Sequence, residues 1–197
     1  MMFVAALAGY LVGTLPTAGW IAGAKGIDLR EGGSGNPGAN NARKLGGLGL
    51  AAAVLLVEIT KGLVAAGLGE ALAGDGGAVV AGVSAIAGNI YNVWYRFAGG
   101  KGLGITAGVL LATWPMATII LIPVVALAAV ITKSSGKATL IALTGAVVAG
   151  FTWWLADLPN AWGVDDELLP WMAIAISLLV FPKHLADARR GEVETPG

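Results

Sequence analysis

The stretch GLGITAGVLLATWPMATIILIPVVALAAVIT, residues 102–132, carries no charged side chain and decides how often the chain crosses a membrane. A spanning helix needs roughly 20 apolar residues. One bent helix here would cross once; two helices meeting at Trp114-Pro115 would cross twice. Further apolar stretches fall at 2–22, 46–68, 76–95, 138–156 and 168–182. The cations select the second reading. Lys25, Arg30, Arg43 and Lys44 precede the second stretch, and Arg96 and Lys101 follow the third. Lys133 and Lys137 follow Thr132, and Lys183, Arg189 and Arg190 follow the last stretch. Only Lys61 lies elsewhere. The loops between hold Glu70 and Asp75, then Asp157, Asp165, Asp166 and Glu167. Seven spans put every basic loop on one side, and basic loops stay cytoplasmic. The expectation is an all-α polytopic membrane protein of about seven transmembrane helices, N-terminus outside and C-terminus cytoplasmic.

Composition agrees. Of 197 residues 56% are hydrophobic and 12% charged, with mean hydropathy +0.78. Soluble domains carry about 25% charge, so lipid must cover much of this surface. The 31 glycines suit close-packed membrane helices. The absence of cysteine excludes disulfides, thiolate nucleophiles and zinc–cysteine sites. Scattered basic pairs do not form a nucleic-acid stripe. The run 1–22 lacks a basic leader and outlasts a signal core, so it reads as a first span. Tryptophans near the span ends read as an interfacial belt. The chain reads as one domain, 1–197, with a short polar tail after Gly191.

The basic loops are unusual for connectors. The first runs Glu31-Gly32-Gly33-Ser34-Gly35-Asn36-Pro37-Gly38-Ala39-Asn40-Asn41-Ala42-Arg43-Lys44. Glycines let backbone N–H groups converge on an anion at a helix start. A flexible turn would explain the glycines but not the clustered Ser34, Asn36, Arg43 and Lys44. The second loop, Arg96-Phe97-Ala98-Gly99-Gly100-Lys101-Gly102, has the same composition, with Lys101 as point charge. Neither it nor Gly136-Lys137 has Walker A spacing. His184, the single histidine, precedes Asp187 by three residues and shares its face if the segment is helical. Glu58 and Lys61, also three apart within an apolar run, read as a structural ion pair.

Taken in order, Gly13-Thr14-Leu15-Pro16, Lys25-Gly26-Ile27-Asp28-Leu29-Arg30 and Gly33-Ser34-Gly35-Asn36-Pro37-Gly38-Ala39 resemble the PlsY family, the bacterial acyl-phosphate:glycerol-3-phosphate acyltransferases. Glu58-Ile59-Thr60-Lys61-Gly62 and Gly88 through Gly102 resemble that family's next motifs, so the likeness covers roughly residues 8–192. It implies transfer of a fatty acyl group from acyl phosphate to the 1-hydroxyl of glycerol 3-phosphate, giving lysophosphatidate in phospholipid synthesis. It implies no cofactor and no metal, and a site on the cytoplasmic side of the cell membrane. Ser34, Gly35, Asn36, Gly38, Gly99, Gly100, Lys101 and Gly102 would bind substrate phosphate, with Arg43 or Lys44. Ser34, His184 and Asp187 would be catalytic. The pattern departs from the family at Asn89 (usually histidine), Asp187 (usually asparagine) and Gly136 (usually serine). Those departures keep an altered or inactive paralogue binding a phosphorylated ligand as the alternative. A small anion transporter is the remoter one, since a transporter places its site near the midplane.

Overall fold

The computed structural model describes residues 1–193; residues 194–197 of the polar tail lie outside the described residues. Among the described residues all regular structure is helical: α1 (Met2–Thr14), α2 (Thr17–Gly23), α3 (Ala39–Ile90), α4 (Leu103–Thr113), α5 (Pro115–Thr132), α6 (Ser135–Ala156) and α7 (Leu169–Val193), with 3-10 turns at Val93–Tyr95 and Asp166–Leu168. Five helical stretches are long and apolar enough to cross a membrane, and Leu103–Thr113 is a shorter apolar helix. The chain divides into two compact units, Met1–Thr113 and Trp114–Gly197.

In the first unit, α3 is continuous only nominally. Its backbone leaves helical geometry at Gly47 and again at Ala73 and Gly74. Gly74 has φ +63°, a value that favours glycine. The arms 48–72 and 75–90 therefore fold against each other, so closely that a methyl on Gly69 would strike the Gly77 carbonyl. Helix α1 lies on the second arm through small residues. A methyl on Gly9 would meet the Ala81 carbonyl, and one on Gly13 the Ala85 carbonyl. These pairs advance together, so α1 runs parallel to 75–90. Helix α4 packs on the first arm, where Gly62 faces Ile105 and Val109, and Gly108 faces Ile59. In lipid, helices gain nothing from leaving water, so close approach of small residues supplies the attraction.

The apolar run 2–22 is not one helix. Pro16 has no N–H to donate, and the chain breaks at Leu15-Pro16 into α1 and α2. The carbonyls freed by the break accept from distant side chains: Asn92 Nδ2 donates to Thr14 O at 2.8 Å and Lys61 Nζ to Leu15 O at 2.9 Å.

In the second unit, α5 begins after Trp114, whose backbone is non-helical. Trp114 is fully buried, with its ring edge-on to Trp153 at 5.6 Å. It thus departs from the expected belt, whereas Trp94, Trp162 and Trp171 are exposed. A sharp turn at Lys133, φ 51°, leads to α6, whose N-terminus Ser134 caps by accepting from Lys137 N. Helices α6 and α7 are antiparallel, with Gly150 against Pro170 and Gly136 against His184 and Ala188. A Cβ on Gly136 would stand 2.7 Å from Ala188 N and 2.9 Å from His184 O. Glycine here is what lets α7 approach. Gly136→Ser should therefore cost about 1–3 kcal/mol through overpacking. A lowered melting temperature in detergent checks this; an unchanged one would show that the two helices can part freely.

Candidate functional site

The side chains that fill the break in the first helix also build a polar cleft. Glu58 and Lys61, on the first arm of α3, are 8% and 5% exposed. Lys61 Nζ reaches Glu58 Oε1 at 3.1 Å and Oε2 at 3.3 Å. The expected ion pair is present, and it is part of a larger network. Thr17 Oγ1 donates to Glu58 Oε1 at 3.1 Å, and Asn89 Nδ2 donates to Oε2 at 2.7 Å. Charges at membrane depth demand partners of this kind. Beside the network lies a small, open polar cleft lined by Thr17, Pro37, Glu58, Asn89, Tyr95 and Gly100, among others.

Both glycine loops reach this cleft. The first enters through Pro37. Asn41, almost fully buried, is its internal strut: Nδ2 donates to the carbonyls of Leu29 (2.8 Å) and Gly32 (3.0 Å), and Oδ1 accepts from Ser34 N at 2.8 Å. Gly33 and Gly35 take positive φ, +61° and +68°, which lets the loop coil around it. The second loop enters through Gly100. Arg30 ties the two together, donating from Nη1 to Ala98 O at 2.9 Å with its guanidinium 4.3 Å from the Tyr95 ring centroid. That contact combines a hydrogen bond and a cation–π attraction.

The expected phosphate-binding residues occupy different settings. Ser34 is exposed on the first loop, with Gly35, Asn36 and Gly38 half-buried beside it. Arg43 and Lys44 are exposed on the first turns of α3. Gly99 N and Gly100 N both donate at 3.0 Å to the carbonyls of Ile90 and Asn89. Gly102, at φ +80°, packs on Ile90 and Ile86. Lys101 between them is half-buried. His184 and Asp187 belong to the second unit. The segment is helical through Pro182, with His184 buried at 2% exposure and Asp187 half-buried. Thr17, Asn92 and Tyr95 were not singled out from sequence. The proline at position 16 was the available signal for Asn92, since freed carbonyls require donors. Thr17 and Tyr95 carried no comparable signal.

Comparison with known proteins gives a consistent answer. The family model described as glycerol-3-phosphate acyltransferase matches residues 3–191. A glycerol-3-phosphate acyltransferase of Symbiobacterium thermophilum is 36% identical over 185 residues, 94% of this chain and 88% of its own length. One of Ruegeria pomeroyi is 36% identical over 197 residues, 99% of this chain and 91% of its own length. A crystal structure of PlsY (YgiH), described as an integral membrane glycerol 3-phosphate acyltransferase in its glycerol 3-phosphate form, has a TM-score of 0.81 at 26% identity, covering 98% of this chain and 92% of that one.

Proposed function

The chain belongs to the glycerol-3-phosphate acyltransferase family, and from that premise we infer that it is an integral membrane enzyme transferring an acyl group to glycerol 3-phosphate in phospholipid synthesis. The observation that carries this reading is the match across residues 3–191, with the polar cleft where the two glycine loops meet.

The donor we propose is acyl phosphate. An acyl phosphate is already activated, so no protein nucleophile is required. A hydroxyl oxygen of glycerol 3-phosphate attacks the acyl carbon, the bond from that carbon to the phosphate oxygen breaks, and the phosphate leaves. The hydroxyl proton passes to the departing phosphate. The products are lysophosphatidate and phosphate. The protein's task is then to hold two anions together and exclude water, stabilising charge with fixed donors. Ser34, Lys101 and either Arg43 or Lys44 are the groups we assign to phosphate, with Gly35, Asn36, Gly38, Gly99, Gly100 and Gly102 shaping the loops. His184 and Asp187 are assigned to catalysis on the family resemblance.

We further propose seven passes, with the two arms of α3 counted separately and α4 as a short pass, and the basic loops and the site on the cytoplasmic side. Parallel packing of α1 on 75–90 supports the alternation in the first unit. The match across both units supports a single functional domain.

The deciding assay offers labelled glycerol 3-phosphate to the purified protein with acyl phosphate, and in parallel with acyl-CoA. Lysophosphatidate from acyl phosphate alone is the expected result. Product from acyl-CoA alone would overturn the donor assignment. No product from either, with glycerol 3-phosphate still bound, would favour the altered paralogue.

A further inference from the structure

Asn89 meets the cleft with one polar atom committed and the other open. Its Nδ2 donates to Glu58 Oε2 at 2.7 Å. Glu58 Oε1 and Oε2 are otherwise filled by Thr17 and Lys61. The amide cannot turn over without setting its own oxygen against a carboxylate oxygen, because only its NH2 group donates. Oδ1 therefore points away from Glu58, and it accepts no hydrogen bond from the described residues. Gly100 leaves the space beside it empty: a methyl there would stand 3.1 Å from Oδ1. Asn89 and Gly100 both line the cleft.

A fixed, uncapped carbonyl oxygen on the wall of such a cleft attracts an O–H and repels the proton-free oxygens of a phosphate dianion. It can therefore sort one end of a polyol phosphate from the other. We propose that Asn89 Oδ1 accepts a hydrogen bond from a hydroxyl of the acceptor substrate, making Asn89 a specificity-determining residue that Glu58 positions. This rests on the acyl-transfer reading for the identity of the acceptor. An amide oxygen is too weak a base to take the hydroxyl proton, so the role is orientation and not deprotonation. A histidine at 89 would do the same through a different atom: one ring N–H on Glu58 leaves the other nitrogen bare toward the cleft.

The test is calorimetric binding to the full chain in detergent, with glycerol 3-phosphate and with propyl phosphate, which keeps the phosphate and three-carbon chain but has no hydroxyl. Wild type should prefer glycerol 3-phosphate by about tenfold or more, as expected for one satisfied hydrogen bond. Asn89→Leu should bring the ratio of the two dissociation constants close to one while leaving that of propyl phosphate nearly unchanged. Asn89→His should keep the preference. Should the leucine variant not fold, Gly100→Ala fills the space before Oδ1 and should lose the preference in the same way. Persistence of the preference in Asn89→Leu or Gly100→Ala, or its loss in Asn89→His, overturns the assignment. Turnover of the same wild-type sample separates the two readings. No product, with a hydroxyl preference that Asn89→Leu abolishes, refutes transfer and keeps the role of Asn89. Product, with a preference indifferent to Asn89, does the reverse.

Discussion

Lys61→Met should destabilise the first unit by about 3–5 kcal/mol, the usual consequence of leaving one member of a buried ion pair without its partner. Glu58 would keep Thr17 and Asn89 as donors but lose the cation 3.1 Å away. The Leu15 carbonyl would lose its donor as well. Methionine fills much the same volume as the lysine stem, so the loss reports on charge and hydrogen bonding and not on a cavity. The double change Lys61→Met with Glu58→Leu removes both charges and should recover most of the stability, because an apolar pair of matching volume often replaces a buried ion pair without cost. Thermal unfolding in detergent measures both variants. A single variant as stable as wild type would mean that water reaches Glu58 and that the pair is not holding the helix break.

Lys101→Ala should reduce acyl transfer by about 10²–10³-fold, the range for removing one preorganised charge-stabilising group. Lys101 directly follows Gly100 on the cleft wall and is half-buried. In the proposed reaction donor and acceptor each bring phosphate oxygens, and the Lys101 ammonium is a compact charge for holding them. The melting temperature should change little. Steady-state kcat/KM beside the melting curve separates the effects: activity within about threefold of wild type would remove Lys101 from the phosphate site, given the magnitude expected of such a group.

The architecture was legible where physics forces a residue to one side. Cations are costly in lipid, so Lys25, Arg96, Lys101 and Lys133 fall between helices and Arg43 on the first turns of α3. The pair Glu58 and Lys61 was legible for the same reason, as i,i+3 neighbours. Its completion was not: Thr17 lies 41 positions from Glu58 and Asn89 lies 31 away, and only tertiary packing brings them together. Hydropathy reads composition and not hydrogen bonding, so the run 2–22 looked unbroken although Pro16 divides it. In sequence, the glycines of the second loop suggest exposed N–H groups. In the fold Gly99 and Gly100 spend theirs on the carbonyls of Ile90 and Asn89. Glycine shows that something comes close to the backbone, but not what it is. At Gly136, where the resemblance implies a serine, α7 comes so close that a side chain would meet its backbone.

The break at Leu15-Pro16 has a consequence for biogenesis. The chain is made from its N-terminus, so α1 and α2 reach the bilayer before Lys61 and Asn92 do. Until then the carbonyls of Thr14 and Leu15, which those side chains satisfy in the finished fold, must find water, lipid headgroups or the insertion machinery, since an unmet carbonyl in hydrocarbon costs several kcal/mol. The nascent N-terminal segment is therefore held in a provisional setting and seats finally only after roughly the first half of the chain has been synthesised. Its assembly is timed by the emergence of a lysine and an asparagine, and not by its own hydrophobicity.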